Sequence, residues 1–394
     1  MTQRDTFKDD RPAHIMKGNV PELESLRGIA ALIVVSTHFM ILSPLMYDPL
    51  PVRSLGWFAV TMRYSPLRIL MGGYGSVVLF FVLSGFVLSI KFWNRGNDGC
   101  LPFVIRRVLR IYPPYYAAIA LSIVLHCVIR YHQIDGLSNW FNGLSTHVDP
   151  TPALLAGHAL LIGTYDMSAY DSVIWSLVHE MRISLIFPLI MYVLVRGSLA
   201  VNLAFTVALV ALSIATRPWL GEYAASILFS SHFALGALLA RYAHVLTAIT
   251  VKLSVVKILT VLATAILGCF YFKSPAGYGF MLFSAVSFFS ALCACLIIVI
   301  AIASPTLSRL LSTRVARFSG RISYSFYLFH CVILLAALNV FHGKVPLLLI
   351  LAGTFSVSVL VATLSFWCIE KPAIWLGHRL AHSRNNRLKT AIST

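Results

Sequence analysis

The sequence predicts an all-α fold: a polytopic transmembrane helix bundle of about ten spans with both termini cytoplasmic. Three observations carry that prediction. Hydrophobic residues make up 58% of the 394 residues and charged ones only 11%, against roughly 25% charged in a soluble domain. The apolar residues gather into runs of about 20, the length that crosses a hydrocarbon core. The cations gather on one side. With the N-terminus inside, 23 of the 31 Lys and Arg fall in cytoplasmic segments, as the positive-inside rule requires. That placement accounts for much of the net charge of +17. No basic patch interleaves with stacking aromatics, which speaks against a nucleic-acid partner.

The expected spans are 27–45, 74–92, 111–130, 173–195, 199–216, 224–241, 254–272, 280–301, 322–342 and 346–368. Residues 1–22 read as a disordered cytoplasmic tail without a cleavable signal. The transmembrane domain covers 23–378, and 379–394 reads as a basic cytoplasmic tail. The first span opens with Glu24 and Arg27 and arrives at His38, about 16 Å further along a helix. An ionisable group at that depth needs a use or a partner. The second span carries Gly75, Ser76, Ser84 and Gly85, which allow close helix approach. Arg106, Arg107 and Arg110 follow, with a proline pair at the start of the third span. Arg107 and Arg110 share a helix face. They read either as a phosphate-binding pair or as an anchor against anionic lipid.

The long segment 131–171 holds a short apolar stretch, Ala153–Ile162, expected as a re-entrant or surface helix. The fourth span carries Glu180, the sole carboxylate placed within a span, beside His179 and Arg182. Glu180 and Arg182 are two residues apart and point to different sides. They form either a structural ion pair or part of a polar cavity. The next four spans carry no carboxylate. The ninth carries a stripe of Tyr324, Tyr327 and His330, suited to a cavity wall. Glu370, Lys371 and Pro372 read as a helix stop. The seven cysteines lie scattered, mostly in apolar runs, without metal-ligand spacing, so no metal site is expected.

Taken together, these segments resemble the integral-membrane acyltransferase family 3. The resemblance rests on Arg27 and His38, Ser84–Leu88, Arg107 with Arg110, Tyr112 and Pro113, Trp175–Glu180, Ser323–His330, and Glu370–Pro372. It covers about residues 20–380. Arg182 departs from the polar-aromatic run common after the fourth-span motif, which points to a variant cavity or acceptor. The resemblance implies transfer of an acyl group, usually acetyl from acetyl-CoA or another acyl-CoA, to a hydroxyl of a glycan or lipid-linked saccharide. It implies a bacterial inner (plasma) membrane setting in contact with the lipid bilayer. His38 then serves as general base, and Glu180 orients it, holds its charge or binds the acceptor. Arg107 and Arg110 bind the coenzyme phosphates, and Arg27 does the same or steadies the inner mouth. Tyr327 and His330 line the cavity, and Arg182 contacts the acceptor or neutralises Glu180. The alternative is a proton-coupled transporter or exporter of a small polar molecule, with His38 and Glu180 as relay.

Overall fold

The structure is a computed structural model. It describes residues 20–93, 99–145, 151–271 and 279–393, the last eleven by backbone alone. Twelve helices organise it: α1 Pro21–Met40, α2 Gly73–Trp93, α3 Cys100–Ile129, α4 Pro152–Leu160, α5 Ile174–Arg196 and α6 Leu199–Leu220. They continue as α7 Glu222–Val251, α8 Val255–Phe270, α9 Gly279–Ala303, α10 Arg314–Phe341, α11 Leu347–Ser365 and α12 Lys371–Ser393. Among the described residues, nine helices are long and apolar enough to cross a membrane by length and composition: α1–α3, α5–α7, α9, α10 and the joined α11–α12. The remaining expected span is filled by α8, apolar but only 16 residues long. Residues 1–19 of the expected tail lie outside the described residues. The segment expected as a basic tail continues α12 as far as Ser393.

Two glycine contacts set the packing. At the centre, α2 crosses α7. A Cβ on Gly85 would fall 2.1 Å from the Phe233 carbonyl oxygen, and one on Gly236 2.0 Å from that of Val82. Only glycine lets these backbones touch. The second contact joins α1 to α10. A Cβ on Gly320 would fall 2.2 Å from the Glu24 carbonyl oxygen, and one on Gly28 2.6 Å from the Gly320 nitrogen. The two helices run parallel from there. Ten residues on, about 15 Å along each helix, they bring His38 and His330 side by side.

Three boundaries differ from the sequence reading. The helix α1 ends at Met40 rather than 45, because Pro44 cannot continue it and opens the short helix Pro44–Tyr47 instead. His38 therefore sits in the last turn of α1. The third span begins at Cys100, so Pro113 and Pro114 lie inside α3 rather than at its start. Its charged first turns are helical although hydropathy leaves them out. The Glu370–Pro372 segment is no stop. A π-turn, Phe366–Glu370, leads straight into α12. The wider turn accommodates the ring and the missing N–H of Pro372.

Candidate active site

The first group of polar side chains gathers where α1, α2, α3, α5 and α10 meet. Arg107 on α3 reaches Glu180 on α5 with Nη2 2.6 Å from Oε1. Its Nε–H donates to the Ser184 hydroxyl at 3.1 Å, which in turn donates to the Glu180 carbonyl at 2.7 Å. Both side chains are largely buried. A guanidinium there needs such a partner, since an uncompensated buried charge is strongly destabilising. Beside the pair lies a cavity of about 30 Å³, lined among others by Arg27, Ser176, Glu180, Tyr324 and Tyr327. Arg27 and Arg110 carry no hydrogen bond or ion pair to any described residue, and the Arg27 Nε is buried without a partner. Arg27 lies within electrostatic reach of Arg110, Arg107, Glu180 and Glu370.

Glu370 belongs to this group, which the sequence reading missed by taking it for part of a helix stop. It is buried, accepts from the Ser325 hydroxyl at 2.9 Å, and lies within electrostatic reach of Arg110 and Arg27. Its signal in the sequence was a carboxylate two residues before a helix proline, where a π-turn forms. Asp171, ahead of α5, is a second overlooked carboxylate. Its Oδ1 takes the Val173 N–H at 3.3 Å, its Oδ2 has no partner, and burial pushes its carboxyl well above the usual range.

The second group lies at the far end of α1. His38 Nδ1 is 2.8 Å from His330 Nε2. His330 Nδ1 is 2.7 Å from the Tyr327 carbonyl oxygen. A carbonyl only accepts, so in the neutral pair Nδ1 of His330 holds a proton and its Nε2 is bare. That bare nitrogen accepts a hydrogen bond from His38 Nδ1–H, which leaves a lone pair on His38 Nε2. The tautomer is thus assigned from the bonding pattern. Trp140 stacks on His38, ring centroids 5.0 Å apart and planes 6° off parallel. Ser138, which precedes Trp140, holds it there: its N–H bonds to the Leu42 carbonyl at 2.8 Å and its hydroxyl to that of Ile41. The open carbonyls after α1 are satisfied in the same stroke.

His330, and not Glu180, is the hydrogen-bond partner of His38. The two residues of the expected relay therefore belong to separate groups, Glu180 with Arg107 and His38 with His330. Arg182 is likewise corrected: it does not neutralise Glu180. Its Nε and Nη2 donate to the carbonyls of Ile162 and Gly163 at 3.0 and 2.6 Å, and Nη1 to Ser226 at 3.2 Å. The hydroxyls of Tyr115 and Tyr116 cap the His158 and Ala159 carbonyls at the end of α4, and Arg182 holds the chain just beyond it. That docks the short apolar helix expected at 153–162. Tyr327 lines the cavity, its hydroxyl bonded to Ser176 at 2.8 Å and to the Val173 carbonyl at 3.2 Å.

Beyond the end of α1 opens a cleft of about 370 Å³, whose walls include Thr37, Arg63, Tyr64, Arg68, Tyr74 and Tyr271. Thr37 is the neighbour of His38, so the cleft and the histidine pair share one turn of helix.

Comparisons with known proteins follow the same lines. The model of the acyltransferase-domain family, acyltransferase family 3, matches residues 20–368. A Haemophilus influenzae protein described as uncharacterized is 30% identical over 141 residues, which is 34% of this chain and 55% of that protein. The chain thus spans about half the length of the curated relative it matches. No solved structure matches.

Proposed function

The chain belongs to acyltransferase family 3, and on that premise we propose that it moves an acyl group from acyl-CoA, first of all acetyl-CoA, to a hydroxyl of a glycan or lipid-linked saccharide. The observation that carries this reading is the hydrogen-bond chain Tyr327 carbonyl, His330, His38. It leaves the lone pair on His38 Nε2. An imidazole in that state is suited to take a proton near neutral pH.

In the proposed reaction the acceptor hydroxyl attacks the thioester carbonyl as His38 Nε2 removes its proton. The imidazolium that forms keeps its Nδ1–H on His330. Collapse of the tetrahedral intermediate expels the coenzyme thiolate, which takes the proton back from His38. The products are the acyl ester and free coenzyme A. His330 acts here as a positioning residue, the part that a carboxylate plays in the serine hydrolase triad. Glu180 serves to hold Arg107 rather than His38. The donor phosphates are assigned to Arg27 and Arg110, whose guanidiniums have no partner among the described residues, with Arg107 fixed beside them. Guanidinium forks match phosphate oxygens. The cavity at Glu180 must widen to admit the thioester arm. The acceptor is assigned to the cleft beside Thr37. Arg182 is given no acceptor contact, because its donors are occupied. The donor side faces the cytoplasm of a bacterial inner membrane in this reading.

The test supplies labelled acetyl-CoA to membranes carrying the protein or His38→Ala and follows acetylated glycans and lipids by mass spectrometry. Loss of general-base catalysis lowers transfer by about 10²- to 10⁴-fold. Equal product in both preparations would sink the role given to His38.

A further inference from the structure

One cysteine does not lie scattered. Cys331 is a free, buried thiol beside both histidines. Its Sγ is 3.4 Å from His38 Nδ1 and 3.4 Å from His330 Nε2, while those two nitrogens are 2.8 Å apart. The three atoms are possible ligands that converge on one point. We propose that His38, His330 and Cys331 form a Zn²⁺ site, and that filling it switches off the base at His38.

The geometry fits the ion. Zn²⁺ holds imidazole nitrogen at about 2.0–2.1 Å and thiolate sulfur at about 2.3 Å. Ligands at those lengths stand roughly 3.5 Å apart for nitrogen and sulfur in a tetrahedron, close to both sulfur edges here. The nitrogen edge opens by about 0.5 Å to reach its tetrahedral value. The surrounding bonds suit a metal as well. His330 already donates its other ring N–H to the Tyr327 carbonyl, the arrangement that fixes a ligating imidazole. The Ser172 hydroxyl donates to Cys331 Sγ at 3.3 Å, a bond that a zinc-bound thiolate keeps. Three protein ligands leave a fourth position open. A two-imidazole, one-thiolate set selects a borderline or soft cation over Mg²⁺ or Ca²⁺. His38 is only half-buried, so the ion reaches the site from its side.

Binding rearranges protons in a defined way. The Cys331 thiol loses its proton to solvent as the sulfur–zinc bond forms. His38 Nδ1 must give up its proton to present a lone pair, and that proton moves to Nε2. The same nitrogen that serves as base in the proposed transfer is then an N–H. This inhibitory part rests on the acyl-transfer reading, whereas the site itself does not.

The experiment uses the untagged full chain in lipid nanodiscs, stripped with chelator. Co²⁺ is titrated without acyl donor, followed by thiolate-to-cobalt absorption, and Zn²⁺ then competes. One equivalent with that absorption is expected, lost in both Cys331→Ser and Cys331→Ala. Either no thiolate band in the folded wild type or an unchanged band in a folded Cys331 variant overturns the site. In the second arm, Zn²⁺ inhibits acetyl transfer by the wild type at concentrations at least about tenfold lower than for Cys331→Ser. Equal inhibition of both overturns the switch. A cobalt site at Cys331 in a protein that transfers no acyl group upholds the site and defeats the transferase reading and the switch that depends on it.

Discussion

The two polar regions along α1 are held by different physics. Around Arg27 the protein keeps full charges: Arg107 and Glu180 paired at 2.6 Å, Arg27 and Arg110 without described partners, and a cavity of about 30 Å³. That is room for little more than a water or two. Around His38 it keeps neutral rings in one hydrogen-bond chain next to a cleft of about 370 Å³. The difference separates binding of an anionic donor from proton transfer. Charges fixed for phosphate would disturb a base that has to remain neutral, and helix α1 keeps the two about 16 Å apart.

The largest expected effect concerns the charged region. Glu180→Leu leaves Arg107 buried without its partner and destabilises the protein by about 3–5 kcal/mol, read by thermal unfolding in detergent. The double change Arg107→Met with Glu180→Leu recovers most of that loss. If the single change is tolerated as well as the double one, the pair is not the constraint assigned to it.

Acid should strike a third place, the end of α4, rather than either region along α1. His158, at the end of α4 and outside the membrane spans, is buried. Burial lowers its pKa from 6.5 to about 4. Below pH 6.5 the unfolded chain therefore binds a proton that the folded chain refuses, and stability falls with pH until about 4, where the folded form protonates too. The loss is at most about 3 kcal/mol. His158→Phe retains the ring packing against Tyr165 and Tyr170 and should shrink this acid-side slope. The same slope in wild type and variant, measured by unfolding at a series of pH values, would remove His158 from the account.

The smallest effect tests the division of labour. Arg110→Ala should raise KM for acyl-CoA roughly tenfold, about 1.4 kcal/mol, with kcat nearly unchanged. A fall in kcat at constant KM would mean that the charged region takes part in the chemistry.

Much of this arrangement was legible along single helices and little of it between them. Hydropathy located the spans. Helical spacing put Glu180 and Arg182 on different sides, and they do part, one to Arg107 and the other to carbonyls just after α4. The partners were not legible. His38 and His330 are 292 residues apart, and Arg107 and Glu180 are 73. Periodicity gives the face of a helix, while its neighbour depends on contacts such as Gly28 against Gly320. Cys331 went unnoticed because a cysteine after a histidine has no ligand spacing of its own. Its meaning comes from the third residue, on another helix. Glu370 was hidden by a π-turn, which changes the phase of the helix at that point.

If His330 acts through His38, a double-mutant cycle reveals their coupling. Labelled acetyl transfer from acetyl-CoA is measured in membranes carrying wild type, His38→Ala, His330→Ala and both changes together. Residues that act as a unit are strongly non-additive. Such coupling gives a clear loss for each single variant and a double variant no slower than His38→Ala alone. Losses that multiply in the double variant would contradict it.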